Sequence, residues 1–494
     1  MSSSFSLGRG LGLAIATAVV CALTAPTAVA APAPPAPAKT KPALSDDFNG
    51  DGYRDVVTAS PYAFAGIRKY AGNVTVLYGS KSGTLRDKWQ WFDQSQQAPP
   101  ASAERYDHFG TAVTSADLDA DGYADLVVGA PGDDGPGGEP ADIGSLSIFW
   151  GGKNGLGRTP AVISGTAGFS AIGGRLVAGD VNGDGTADLV TAGVSSAWTQ
   201  LRTYAGPFKR DGSPAGVTTD PGLHDEIRDL AAGDHNGDGI TDVVAVENQT
   251  DLPERLSTWV WKGTARGLVS TGKLALKWEQ GGDSVDLGDI NGDGFDDIVQ
   301  GREEYSGDYV PPGTLGGMFG YIPGSAKGPV AGKAKFVNQG SPGVPGAVEH
   351  GDGFGSEITV GDVNGDKYAD IAVGVPGEDF GGKSDAGAVV ILRGGKNGIA
   401  TSGGTVFSQD TSGVPGAAEK GDLFGGGVKL VDVNRDGRAD LVAGAPGENS
   451  REGAVSALKG GASGITAKGS ITVTPRGLGH VPNPGDRFGL VFGH

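Results

Sequence analysis

The chain has 494 residues, including 90 glycines, 29 prolines and one cysteine, with 58 acidic against 39 basic side chains and a formal charge of −19. Glycine, at about 18%, exceeds twice its usual share, yet it follows no every-third-residue period, which excludes collagen. The acidic balance argues against nucleic acid as a partner and for a divalent cation.

The N-terminus reads as a secretory leader. Residues 1–30 carry one charge, Arg9, then an apolar stretch from Leu11 to Leu23, then Ala28-Val29-Ala30, the small-x-small pattern of signal-peptidase cleavage. About 13 apolar residues at 1.5 Å each reach about 20 Å, short of a roughly 30 Å hydrocarbon core, so no membrane span is expected here. Cys21 lies within the stretch, after Val20 and not after the small residue that precedes a lipidated cysteine. A mature chain starting near Ala31 therefore has no thiol, disulfide or Cys-based metal site. Residues 31–43, rich in Pro and Ala, read as an extended tether, with order expected from near Leu44. Export is expected, with retention on a cell wall left open.

Beyond the tether no long stretch has helical apolar spacing, whereas short runs such as Val74-Thr75-Val76-Leu77-Tyr78 and Ala388-Val389-Val390-Ile391-Leu392 recur between glycines. This is an all-β pattern, and it repeats. A nine-residue element with acidic or amide side chains at its first, third, fifth and ninth places begins at Asp47, Asp117, Asp180, Asp234, Asp289, Asp362 and Asp432. A β-prone run follows each, such as LVVGAP after Asp125 and LVAGAP after Asp440. Phe109-Gly110, Phe354-Gly355 and Phe424-Gly425 stand before three of the elements at one fixed spacing, and Phe488-Gly489 stands near the C-terminus.

A Phe-Gly, an Asp-x-[Asp/Asn]-x-Asp-Gly-x-x-Asp loop and a Gly-Ala-Pro together resemble the FG-GAP repeat of integrin α-subunits. The resemblance covers roughly residues 44–494. It is complete in repeats two and seven, which carry Gly129-Ala130-Pro131 and Gly444-Ala445-Pro446, and weaker in repeats three to five, where the Phe-Gly is missing. It implies an all-β, seven-bladed β-propeller. Ring closure is expected on separate grounds. The element at Asp47 has no Phe-Gly strand before it, while Phe488-Gly489 has no loop after it, so the run FGLVFGH can complete the first blade and cover its open edge.

The loops point to calcium. Hard oxygen ligands at about 2.3–2.6 Å are what this ion takes, and alternate side chains of a tight loop plus the seventh carbonyl supply them. The expected ligands of the first loop are Asp47, Asn49, Asp51, the Tyr53 carbonyl and Asp55; of the second, Asp117, Asp119, Asp121, Tyr123 and Asp125. The third offers Asp180, Asn182, Asp184, Thr186 and Asp188, and the fourth Asp234, Asn236, Asp238, Ile240 and Asp242. The fifth has Asp289, Asn291, Asp293, Phe295 and Asp297; the sixth, Asp362, Asn364, Asp366, Tyr368 and Asp370; the seventh, Asp432, Asn434, Asp436, Arg438 and Asp440. A glycine at the sixth place supplies left-handed backbone in six loops. Lys367 stands there in the sixth loop, at a cost of about 1 kcal/mol, which makes it the weakest site. An EF-hand is excluded because Thr58 and Val128 stand where its bidentate Glu belongs. Up to seven Ca2+ ions would answer the mutual repulsion of the clustered carboxylates.

Catalytic motifs are missing: the sequence has no His-Glu-x-x-His, no Gly-x-Ser-x-Gly and no phosphate loop. His108, His224, His235 and His494 read as loop histidines without partners at ligand spacing, and Glu303-Glu304 and Asp133-Asp134 are the carboxylate pairs a glycosidase or lyase would need. No catalytic residue is assigned. Function is expected on the propeller face opposite the loops, on connections 90–108, 132–144 and 302–313, with Trp91, Tyr106, Tyr305 and Tyr309 as aromatics for a sugar or a protein partner. The favoured reading is a monomeric extracellular recognition or adhesion module for a glycan or protein; the alternative is a polysaccharide hydrolase or lyase on the same fold.

Overall fold

The computed structural model describes residues 43–96, 103–135, 140–195, 198–222, 224–249, 255–277, 281–304 and 313–493. The leader, the tether apart from Ala43, and Tyr305, Tyr309 and His494 lie outside them. Among the described residues, seven four-stranded antiparallel sheets form the blades of a β-propeller.

Blade 2 shows the pattern, with strands Val113–Ala116, Asp125–Ala130, Ser145–Phe149 and Ala161–Ser164 paired in chain order. Its second strand is buried along its whole length, which is why it reads as a continuous apolar run and not as an alternation. Period-two geometry sends Leu126 and Val128 toward blade 1 and Val127 toward blade 3. The same division recurs around the ring, so the apolar core is a set of clusters, one at each junction between neighbouring blades. Each fully buried Val, Leu or Ile there contributes about 1.5–3 kcal/mol.

The Phe-Gly and Gly-Ala-Pro pairs serve these junctions. A Cβ on Gly129 would stand 2.0 Å from the Gly173 carbonyl oxygen of the next blade, and one on Gly301 would stand 2.0 Å from that of Gly355. Backbones pack where side chains have no room, so glycine is required on steric grounds. Blade 3 uses the same contact without a Phe-Gly. Ile172-Gly173 takes its place, fully buried at Ile172, eight residues before Asp180.

Blade 1 is completed from the C-terminus. Val491–Phe492 pairs with Val56–Ser60, in the register Thr58 to Phe492 and Ala59 to Val491. Phe488 and Phe492 enter the cluster between blades 7 and 1, and a Cβ on Gly444 would meet the Gly489 oxygen at 1.8 Å, so the last junction repeats the glycine contact of the others. Lys429 of blade 7 fastens both ends: its Nζ donates to Asp46 Oδ2 at 2.7 Å and to the Gly493 carbonyl at 2.6 Å.

In blades 2 to 7 the acidic loop joins the first strand to the second, and in blade 1 it leads directly into the second strand, Val56–Ser60, the first being supplied by Val491–Phe492. Antiparallel order then places all seven loops on one face and the second-to-third and blade-to-blade connections on the other. Two expectations need correction. Trp91 lies in the outermost strand of blade 1, Trp89–Phe92, and packs on the His480 ring with centroids 4.1 Å apart, so it is not a loop aromatic. His224 is buried with its ring edge-on to Trp259 and Trp261, because packing and not solvent surrounds it.

Candidate metal centres

The chain bends around each loop through two left-handed residues. Glycines at the sixth place have φ from 80° to 94°, and Lys367 adopts 74° at the same place, so the sixth loop closes like the others. The fourth place is also left-handed. It is glycine in five loops and Ala120 and Arg435 in the remaining two, a second constraint that the sequence reading missed although glycine at that place was its signal.

These turns aim backbone N–H groups at the carboxylates. In all seven loops the sixth residue's N–H donates to the first Asp at 2.8–3.0 Å. The seventh residue's N–H donates to the fifth Asp at 2.9–3.2 Å. The ninth Asp does more. Its Oδ1 accepts from a glycine N–H after the third strand at 2.8–3.0 Å. In six blades its Oδ2 accepts from the second residue of the loop at 2.9–3.3 Å. In the fourth loop that oxygen lies 3.0 Å from His235 Nδ1. The ninth Asp is thus a tie between loop and blade whether or not it touches an ion.

The donor set fits a hard divalent cation. In the second loop, carboxylate oxygens of Asp117, Asp119 and Asp125 lie within 4.8 Å of one another, the spread that ligands at about 2.3–2.6 Å around one ion require. Asp119 Oδ1 is buried there without a hydrogen-bond partner. The other six loops carry Asn at that place, an oxygen donor of similar reach. In loops three, four, five and seven the Asn amide nitrogen donates to the ninth Asp. Turning that amide over exchanges its nitrogen and oxygen.

Protein cations reach some of the same groups, which the sequence reading did not foresee. Arg210 bonds Asp119 and Asp121 while its guanidinium lies 5.0 Å from the Trp150 ring centroid, and Lys262 Nζ sits 2.8 Å from Asp238. Arg210 comes from blade 3 and Lys262 from the end of the third strand of the same blade as Asp238, so neither belongs to the nine-residue motif.

Burial lifts the ninth-place carboxyls above the ordinary range, to about 8 for Asp55, about 7 for Asp125, Asp297 and Asp440, and about 6 for Asp188, Asp242 and Asp370. The backbone donors pull against this, and neighbouring loop carboxylates reinforce it. A carboxyl that binds its proton more tightly when folded contributes stability below its unfolded pKa and loses that contribution as pH rises through the folded value. In chelator the melting temperature is therefore expected to fall between pH 6.5 and 8.5. The buried His224 and His235 oppose the trend only at lower pH, because burial lowers their pKa values. A scan of melting temperature against pH tests this; a rise across the interval contradicts it.

A second repeated aspartate was also missed. Asp107, Asp352, Asp422 and Asp486 each stand two residues before the Phe of a Phe-Gly, are buried, and accept the N–H of the residue three places earlier. They brace the connections on the face opposite the loops. Of the carboxylate pairs, Asp133 is buried and Glu304 accepts the Gly351 N–H.

Loop, blade and glycine contact together define an integrin-like FG-GAP β-propeller. The FG-GAP repeat profile matches residues 354–392 and 424–458, and the FG-GAP-like repeat profile matches 47–128, 117–191 and 234–299, together more than half of the chain. The chain belongs to the FG-GAP repeat proteins. It is 36% identical over 150 residues to the phosphatidylinositol-glycan-specific phospholipase D of Bos taurus, covering 30% of this chain and 17% of that protein. It is 31% identical over 229 residues to integrin alpha pat-2 of Caenorhabditis elegans, covering 44% and 17%. The chain thus spans about a sixth of the length of these relatives. A periplasmic gluconolactonase of Pseudomonas aeruginosa, PpgL, superposes with a TM-score of 0.44 at 12% identity, over 85% of this chain and 96% of that one.

Proposed function

We propose that the protein is a secreted recognition module, a propeller clasped by up to seven calcium ions that presents its opposite face to an extracellular glycan or protein. The observation that carries this reading is the division between faces. One holds the seven acidic loops, whose ninth-place carboxylates are buried on backbone donors, and the other holds the longer connections with Tyr62, Tyr70 and Tyr106 exposed. Similarity to integrin α-subunits supports recognition or adhesion, and the leader-like residues 1–30 support export. No described helix is long and apolar enough to cross a membrane.

The alternative, a polysaccharide hydrolase or lyase, draws on the similarity to a phospholipase D, an enzyme by name. A panel of glycans and extracellular proteins, read for binding and for product release, separates the two. Binding without turnover is the expected result; new reducing ends or unsaturated products would establish the enzyme, and a panel with no binding at all would remove the recognition reading.

A further inference from the structure

We infer that the seam where the ring closes is a binding site for an acidic glycan, a saccharide carrying carboxylate, sulfate or phosphate groups. This rests on the recognition reading above and names its ligand class and its place. A cavity of about 750 Å³ opens there, on the face opposite the acidic loops, within the roughly 300–1,000 Å³ of small-molecule sites. It is built from a connection of blade 1, the entry to blade 2, a connection of blade 7 and the closing segment, and shutting the ring brings the first two against the last two.

Its chemistry differs from that of the rest of the molecule. Tyr62, Tyr70 and Tyr106 are 38%, 37% and 49% exposed. Tyr62 meets Tyr70 edge-on at 5.9 Å, and His108 stacks on Tyr70 at 6.0 Å with 12° between the planes. Lys69, Arg451 and Arg487 line the same cavity, and among the described residues no carboxylate does. Among the described residues none of the three forms an ion pair, and the Arg487 guanidinium lies 5.2 Å from the Tyr62 ring centroid. A chain with 19 excess negative charges thus gathers three cations around one cluster of rings.

The repeat supplies an internal control. Tyr70 and Arg451 stand two places before the glycine that opens the third strand, where blades 2 and 6 carry Asp142 and Asp385; all four are left-handed, with φ of 56°, 67°, 50° and 54°. His108 and Arg487 stand just before Phe-Gly with φ of 54° and 56°, where the blades 6 and 7 counterparts are Gly353 and Leu423. Left-handed backbone suits Gly, Asn and Asp and costs other residues roughly 1–2 kcal/mol. Leu423 and, before Ile172-Gly173, Ala171 are left-handed at the same place, with φ of 57° and 52°, so the turn belongs to the repeat. What sets the seam apart is that Tyr, Arg and His side chains occupy it around one cavity. Exposed tyrosine rings suit the apolar face of a pyranose, and the cations suit its anionic groups. An acidic peptide would satisfy the cations but leave the rings without a flat partner.

The test is calorimetric titration in calcium buffer with tetragalacturonate, with maltotetraose as the neutral counterpart and a tetraglutamate peptide as the acidic one. Tetragalacturonate is expected to bind and maltotetraose to bind at least tenfold more weakly. Tyr70→Asn, Arg451→Asn and Arg487→Gly should each weaken tetragalacturonate about tenfold or more. These residues suit the local backbone, so the variants should melt no lower than the parent, while Lys468→Gln should leave binding unchanged. Equal binding of both saccharides, indifference to all three variants, or preference for the peptide would overturn the assignment. If tetragalacturonate fails but the panel above yields another ligand untouched by the variants, this site falls and the recognition reading stands. If nothing in that panel binds, both fall.

Discussion

Removing divalent cations with a chelator is expected to lower the melting temperature by on the order of 10 °C or more, and added calcium to restore it. An ion that binds only the folded chain stabilises it by about 2.7 kcal/mol at a hundredfold excess over its dissociation constant. Seven loops multiply that effect. Each nine-residue loop carries three or four acidic side chains, and seven of them, the ninth-place residues from Asp55 to Asp440, are almost wholly buried. Their backbone donors offset part of the burial and none of the mutual repulsion. Magnesium should restore less, because it demands near-ideal octahedral geometry and dehydrates reluctantly. The measurement is thermal unfolding with chelator, calcium or magnesium, together with a metal count on the folded protein. Superimposable melts with and without chelator would end the calcium reading and leave the propeller intact.

Deleting residues 486–494 should destabilise the fold on a similar scale. Phe488 and Phe492 leave the cluster between blades 7 and 1, each at a cost of about 3–5 kcal/mol. The edge of blade 1 at Thr58 and Ala59 loses its pairing strand, and Lys429 loses the Gly493 carbonyl. The shortened chain is expected to melt at least 10 °C lower or to fail to fold. A point variant keeps the question open to measurement in the second case. Lys429→Met leaves Asp46 buried without its cation, which costs about 3–5 kcal/mol. Adding Asp46→Asn should return a large part of that loss, since the two sites are directly coupled. An unchanged melting curve for the truncated chain would show that the closing strand does not hold the ring.

Much of this was legible in the sequence because a propeller repeats. The loop places, their spacing, the β-runs and the matching gaps at the two ends follow from residues that lie next to one another, and local backbone chemistry fixes them. Asp at the first place and a left-handed residue at the sixth make one turn wherever they occur, even with Lys367 in that position. Less was visible where a side chain does the same job under another name. Ile172-Gly173 replaces Phe-Gly because the junction needs a buried apolar group and a bare Cα, not phenylalanine itself.

The ring junctions were decided only in three dimensions. Phe64 and Asp486 are 422 residues apart in the chain and share a hydrogen bond; Lys429 joins Asp46 across 383; Arg210 reaches Asp121 across 89. No sequence period links such pairs, because each depends on the angle at which one blade follows another. Composition and repeat therefore determined the blades and their acidic loops, through constraints that act over nine residues. Closure alone brought the tyrosines and arginines of the seam together, through packing that exists only once the last strand is in place.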